Sequence, residues 1–259
     1  MMATINLGGI VPVSTIDWRG KTAMVLFLRG CPLRCLYCQN YNLLEGQSHV
    51  ELEEIESEIE KTNVFIDAVV LTGGEPFMQP EALEAIAQIA KRHALSVGVQ
   101  TNGFYTEIIK SMVNEDRGLI DKIFLDIKAP LSDARLYERL TRVSGVAEQV
   151  RNTLEACTQA KIDLELVTTV FKHLVGAEEV KRIARDIEAA GVACYPYVLQ
   201  QGRPEHVPGN LIKRDDLFTR EELRELAADA YLAADLKDVR IRTKEHGEEV
   251  IERGGYDKW

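Results

Sequence analysis

From about residue 23 onward, apolar runs alternate with amphipathic stretches along the chain. Six runs read as strands: 23–29, 67–72, 95–100, 121–127, 162–170 and 192–199. They are rich in Val, Ile and Leu and mostly apolar on both faces, the pattern of parallel strands covered on both sides. Helical periodicity falls between them. Residues 51–62 carry Leu52, Ile55 and Ile59 on one stripe; 80–92 carry Leu83, Ile86, Ala87 and Ala90; 177–190 carry Val180, Ile183, Ala184 and Ile187. Gly191 stands where a helix end favours a left-handed residue. Thr219 and Glu222 form a capping box opening a last helix with Leu223, Leu226, Ala230 and Ala234 on one face, and a short strand near 238–242 follows.

Repeated strand–helix units predict an α/β chain with a parallel sheet and right-handed crossovers. Six strands predict a partial (β/α)6 TIM-like barrel, with an open doubly wound sheet as the alternative. With no linker or low-complexity stretch, the expectation is a single domain over 1–259, its core at about 20–242 between short N-terminal and C-terminal extensions.

In either architecture the functional rim lies at the carboxyl ends of the strands, and the unusual residues collect there. The first strand runs into Arg29-Gly30-Cys31, the second into Thr72-Gly73-Gly74-Glu75-Pro76, the third into Gln100-Thr101-Asn102-Gly103 and the fourth into Asp126-Ile127-Lys128. The fifth carries Thr168 and Thr169, and the sixth Tyr197, Gln200 and Gln201. Gly73 and Gly74 offer close backbone approach to a ligand, or an ordinary turn. Lys128 offers a cation at the rim, or a solvated loop lysine, and Asp126 shares its strand face.

Five cysteines in a chain of this kind argue for metal or redox chemistry rather than a disulfide framework. Cys31, Cys35 and Cys38 lie within eight residues, on one short loop suited to wrap a corner of an iron–sulfur cluster. Three ligands on four irons leave one iron open for chemistry. Zinc is the weaker reading, because it wants a fourth ligand and the nearest histidine is His49. Cys157 continues a helical stripe with Val150 and Leu154, and Cys194 alternates with apolar neighbours in the sixth strand, so both read as core.

The net charge is −10, from 41 acidic and 31 basic residues, which argues against nucleic acid as a partner. No apolar run approaches a membrane span and MMATINLGG is no signal peptide, so the expected location is the cytoplasm. Six glutamates within 51–60 read as the solvated face of an amphipathic helix. The five histidines are dispersed; His173 and His206 lie in rim loops without catalytic spacing.

Cys31-x3-Cys35-x-Tyr37-Cys38, with Gly73-Gly74-Glu75 after the next strand, resembles the radical S-adenosylmethionine (SAM) superfamily. Ser14-Thr15-Ile16-Asp17, Phe27-Leu28-Arg29-Gly30-Cys31, Cys38-Gln39-Asn40, Thr101-Asn102-Gly103 and Asp126-Ile127-Lys128 are similar to the activating enzymes of glycyl-radical enzymes. Thr168-Thr169-Val170 and Gln200-Gln201-x-Arg203-Pro204 look most like the long form of anaerobic ribonucleoside-triphosphate reductase activators. The resemblance spans roughly residues 10 to 205 and implies a partial barrel of the radical SAM type. It implies that Cys31, Cys35 and Cys38 bind a [4Fe–4S] cluster whose open iron is chelated by SAM. Gly73, Gly74 and Glu75 would hold the SAM amino group, Lys128 its carboxylate, Asp126 the ribose and Thr101 the methionine end, with Tyr37 near the adenine. It implies reductive cleavage of SAM to methionine and a 5′-deoxyadenosyl radical, hydrogen abstraction from a glycine of a partner enzyme, and a flavodoxin- or ferredoxin-type electron donor.

Two positions depart from the family pattern. Gln100 stands where pyruvate formate-lyase activators carry an Asp that helps bind a monovalent cation, which puts that cation in doubt. Trp18-Arg19-Gly20 replaces an aromatic-Pro-Gly or Gly-Pro-Gly stretch expected near the partner. Segment 5–18 and loop 200–216 are expected to flank an open side that admits the partner's glycine loop. Two other classes compete with the activase reading: a small-molecule radical SAM enzyme such as a 7-carboxy-7-deazaguanine synthase, and a non-catalytic iron–sulfur electron carrier.

Overall fold

A computed structural model describes residues 4–114, 117–204, 207 and 211–254. The chain divides into two compact units, one comprising 1–32, 40–124 and 156–163, the other 33–39, 125–155 and 164–259.

In the first unit, strand β2 (Ala23–Leu28) pairs in parallel with β4 (Ala68–Gly73), and β4 with β5 (Ser96–Thr101). Helices α1 (Leu52–Thr62) and α2 (Pro80–Arg92) bury the stripes read from the sequence, with Ile55 and Ile59 on one and Leu83, Ile86, Ala87 and Ala90 on the other. Every β2 residue but Phe27 is buried, as is all of β4 before Gly73, which is why these runs lack alternation. Thr106–Met112 forms the short helix α3.

Periodicity missed strand β1 (Thr4–Ser14), which pairs antiparallel with β2 and with the short β3 (His49–Glu51). Its register against β2 shifts between Leu7 and Gly9 and again between Val11 and Ser14, where Pro12 has no N–H to give. Each shift breaks the two-residue period by which a strand is recognised. The N-terminal segment is thus a strand through Ser14.

Trp18 is a core residue, while Arg19 and Gly20 beside it are exposed. It is 6% exposed, packs with Ala23, Val25, Ala68, Val70 and Phe124, and stands edge-on to the Phe124 ring at 5.6 Å. Gly98 makes room for both rings: a Cβ there would lie 2.9 Å from each. We expect Trp18→Ala to destabilise the holoenzyme by about 3–5 kcal/mol. Urea unfolding checks this, and unchanged stability would return Trp18 to the surface.

The boundary between the units falls within β6 (Lys122–Asp126) and α5 (Val146–Gln159). In the second unit, β7 (Asp163–Val170), β8 (Tyr197–Gln201) and β9 (Val239–Thr243) pair in parallel, and β10 (Gly247–Ile251) returns antiparallel to β9. Its helices are α4 (Ala134–Thr141), most of α5, α6 (Ala177–Ala189) and α7 (Arg220–Ala233), the last opened by the predicted Thr219–Glu222 capping box.

The sixth strand starts five residues later than its apolar run. Gly191 takes φ +73°, its N–H donates to the Glu188 carbonyl and that of Val192 to the Ile187 carbonyl, completing a C-terminal cap on α6. The Tyr195 N–H then turns back to the Val192 carbonyl. Cys194 lies in this turn and is exposed, so it is not the core residue expected; Cys157, on α5, is buried as expected. Of loop 200–216, residues 205, 206 and 208–210, His206 among them, lie outside the described residues. A cavity of about 910 Å³ opens between the ends of β8 and β9 and the start of α7, with Arg203, Arg214, Lys244 and His246 in its wall.

Candidate functional site

In the first unit the site begins where β2 runs into Arg29-Gly30-Cys31. The Gly74 N–H donates to the Leu28 carbonyl and the Glu75 N–H to the Gly30 carbonyl, both at 2.8 Å. This lays the turn after β4 flat on the backbone entering Cys31. The glycines are required for that contact. Gly73 has φ +112° and an added Cβ would lie 2.4 Å from the Leu28 oxygen; on Gly74 it would lie 2.0 Å from the Gly30 oxygen. Gln79, which the sequence did not single out, donates to the carbonyls of Asn6 (3.1 Å) and Arg29 (3.0 Å). Asn40 donates to the Gly73 carbonyl at 2.9 Å.

Glu75 is fully buried. Its carboxylate accepts the Thr101 hydroxyl at 2.8 Å, the Asn102 N–H at 2.8 Å and the Phe77 N–H at 3.2 Å. Glu75 and Thr101, both predicted, therefore meet each other and tie the end of β5 to the turn after β4. Asn102 is new: its Nδ2 lies 3.6 Å from Cys31 Sγ. At Gln100, the amide oxygen accepts the Thr72 hydroxyl at 2.8 Å and offers no charge.

In the second unit, α4 organises two turns at once. The N–H groups of Arg34 and Leu36, on either side of Cys35, donate to the carbonyls of Thr141 and Leu140 at its C-terminus, both at 2.9 Å. These carbonyls lie in the last turn of the helix, where intrahelical partners run out. On the same helix, the Tyr137 hydroxyl accepts the Lys128 N–H at 3.0 Å. Thr168 donates to the Ile127 carbonyl at 2.7 Å, bracing the turn from β7. Tyr137 carries no signal of its own in the sequence, because a buried aromatic on an eight-residue helix looks like ordinary core.

Lys128 Nζ pairs with Asp126 Oδ2 at 2.7 Å, so the predicted cation and acceptor lie together. Burial works against the ammonium, yet the Asp126 carboxylate beside it holds Lys128 well above the ordinary lysine value. Burial also pushes the Cys35 thiol up, opposed by the charge of Lys128. Tyr37 is 4% exposed, with its ring 5.2 Å from that of Phe171.

The chemistry of the donor set fits a thiolate-held cluster. Cys31, Cys35 and Cys38 are outside disulfides and half-buried, and Lys128 opposes the effect of burial on Cys35, whereas Cys157 is buried with no such charge and its thiol is pushed up to about 12. The Tyr37 hydroxyl is buried without a hydrogen-bond partner among the described residues, a rare condition that marks a place for a polar ligand. His173 is exposed, 3.5 Å from Asp216, and belongs to none of this. No helix among the described residues is long and apolar enough to cross a membrane.

Residues 25–192 match the family described as the Radical SAM superfamily. A Methanocaldococcus jannaschii protein that carries the name glycyl-radical enzyme activating enzyme is 31% identical over 225 residues, 85% of this chain and 89% of its own length. The pyruvate formate-lyase-activating enzyme of Clostridium pasteurianum is 31% identical over 182 residues, 61% of this chain and 72% of its own. Among solved structures, a radical SAM methyltransferase from Sphaerobacter thermophilus superposes with a TM-score of 0.68 at 14% identity, over 88% of this chain and 68% of its own. That likeness accords with the expected α/β fold, the partial barrel of the radical SAM type. The chain belongs to the radical SAM superfamily and is an enzyme whose cofactors are a [4Fe–4S] cluster and SAM.

Proposed function

We propose that this enzyme is an activase, generating a glycyl radical on a partner glycyl-radical enzyme, and that the partner is an anaerobic ribonucleoside-triphosphate reductase. The observation that carries the activase reading is the name of the Methanocaldococcus jannaschii relative, on a match over 85% of this chain and 89% of its own. The choice of reductase rests on the Thr168-Thr169-Val170 and Gln200-Gln201-x-Arg203-Pro204 segments. A flavodoxin- or ferredoxin-type protein would supply the electron.

In this reading Cys31, Cys35 and Cys38 hold the cluster. When bound there, the cluster would supply the one electron needed for reductive cleavage of SAM to methionine and a 5′-deoxyadenosyl radical, the species able to take hydrogen from the partner's glycine. Lys128, held charged by Asp126, meets the SAM carboxylate, and the outer edge of Asp126 meets the ribose. Tyr37 gives its buried hydroxyl to the adenine end. Glu75 serves the amino group through the shape of the Thr101–Asn102 turn, because its own oxygens are engaged there.

Tyr137 then positions the Lys128 backbone. Tyr137→Phe removes the acceptor for the Lys128 N–H, a loss of roughly 1–3 kcal/mol that falls on the turn holding SAM. We expect weaker SAM binding, by about one decade, with iron content unchanged. Equilibrium SAM titration beside an iron assay checks both, and wild-type affinity would remove Tyr137 from the site.

The function is tested by mixing reduced enzyme, SAM and an anaerobic ribonucleotide reductase. A carbon-centred radical signal should appear on the reductase, with methionine and 5′-deoxyadenosine formed alongside. Deuterating the target glycine should remove the large α-hydrogen splitting. If no glycyl-radical partner gives a signal while a pterin stimulates SAM turnover, the small-molecule reading takes its place, with a 7-carboxy-7-deazaguanine synthase as its type.

A further inference from the structure

We propose that Asn102 is a positioning residue that sets the reduction potential of the cluster through a hydrogen bond to Cys31. A carboxamide has one acceptor oxygen and one donor nitrogen, and its orientation follows from its partners. Here the Phe104 N–H donates to Asn102 Oδ1 at 3.0 Å, which turns Nδ2 the other way, to 3.6 Å from Cys31 Sγ. The backbone is pinned as well. The Asn102 N–H donates to the fully buried Glu75, whose other oxygen holds the Thr101 hydroxyl. Asn102 is itself 5% exposed, so its side chain has neither the space nor the solvent to swing away.

The direction of the effect follows from charge. A thiolate ligand carries part of the cluster's negative charge, and that share grows when the cluster gains an electron. An N–H donor aimed at the sulfur stabilises the reduced state more than the oxidised one and raises the potential. The buried Glu75 carboxylate behind the Asn102 N–H works in the opposite sense, so the amide also separates the cluster from that charge.

The inference rests on Cys31 as a cluster ligand and on nothing about the partner. Its test is a potentiometric titration of the reconstituted holoenzyme, followed by electron paramagnetic resonance without SAM or partner. Wild type should show the highest midpoint and Asn102→Ala a lower one. Asn102→Asp, which keeps the acceptor for Phe104 and replaces the donor by a carboxylate oxygen, should be lowest. The expected drop for Asn102→Asp is on the order of tenfold in electron affinity, about 59 mV for one electron. Equal midpoints at equal iron content would overturn the proposal, whereas failure of wild type to load a cluster would overturn the ligand assignment instead. Should the variants load poorly, 15N-asparagine labelling of wild type gives a second reading. A nitrogen coupling to the reduced cluster supports the contact, and its absence overturns it.

Discussion

Cys35→Ala should lose the visible absorbance of the cluster and all formation of methionine and 5′-deoxyadenosine, while staying folded. The ligand set falls from three thiolates to two, and no other cysteine can replace the missing one. Cys157 is buried in α5 with its thiol pushed up to about 12, and Cys194 stands exposed in the turn before β8. The loop itself should keep its shape, because its backbone is tied to α4 on both sides of Cys35, through Arg34 and Leu36. The loss is then one of ligation rather than of fold. Iron and sulfide assays, circular dichroism and product chromatography separate the two. Cys157→Ala, run in parallel, should retain full iron. Full loading of Cys35→Ala would end the three-cysteine assignment.

The strand–helix order was legible from the parallel units, because strands buried on both faces and helices with one wide apolar stripe each leave a strong pattern. Residues 80–92 read as a helix and form α2 over the same bounds. Legibility failed where backbone geometry overrode composition. The register shifts of β1 hid a strand of 11 residues, and the cap at Gly191 took residues from the apolar run before β8.

At the site, the residue types were visible but not what they touch. Gly73, Gly74, Glu75, Thr101, Asp126 and Lys128 stood out because polar and small residues are unusual at the ends of apolar strands. Their partners lay outside any local period: Glu75 meets Asn102, 27 residues on, and Lys128 meets Tyr137 on the next helix. Such bonds leave no period or spacing to read. Asn102 was in view as part of Thr101-Asn102-Gly103, yet the direction of its amide depends on Phe104, and only folded geometry supplies that.

The glycine turn offers the sharpest separation between two explanations of one motif. If Gly74 only admits a ligand, Gly74→Val should load its cluster normally and bind SAM poorly. The packing predicts something larger. A Cβ at 2.0 Å from the Gly30 oxygen meets backbone rather than a flexible side chain, so the turn after β4 must lift away. Lifting it breaks the bonds from Gly74 and Glu75 to Leu28 and Gly30, and Gly30 immediately precedes Cys31. Glu75 moves with the turn, leaving the Thr101 hydroxyl and the Asn102 N–H without their buried acceptor. Each buried donor left without its acceptor costs about 1–3 kcal/mol. We therefore expect Gly74→Val to lose most of its iron and to unfold at lower urea, with SAM binding lost as a consequence. Gly74→Ala should show the same pattern more weakly, since it introduces the same Cβ without the methyl groups. Iron content, measured before any SAM is added, decides between the two explanations: a fully loaded Gly74→Val protein would return the glycines to the ligand.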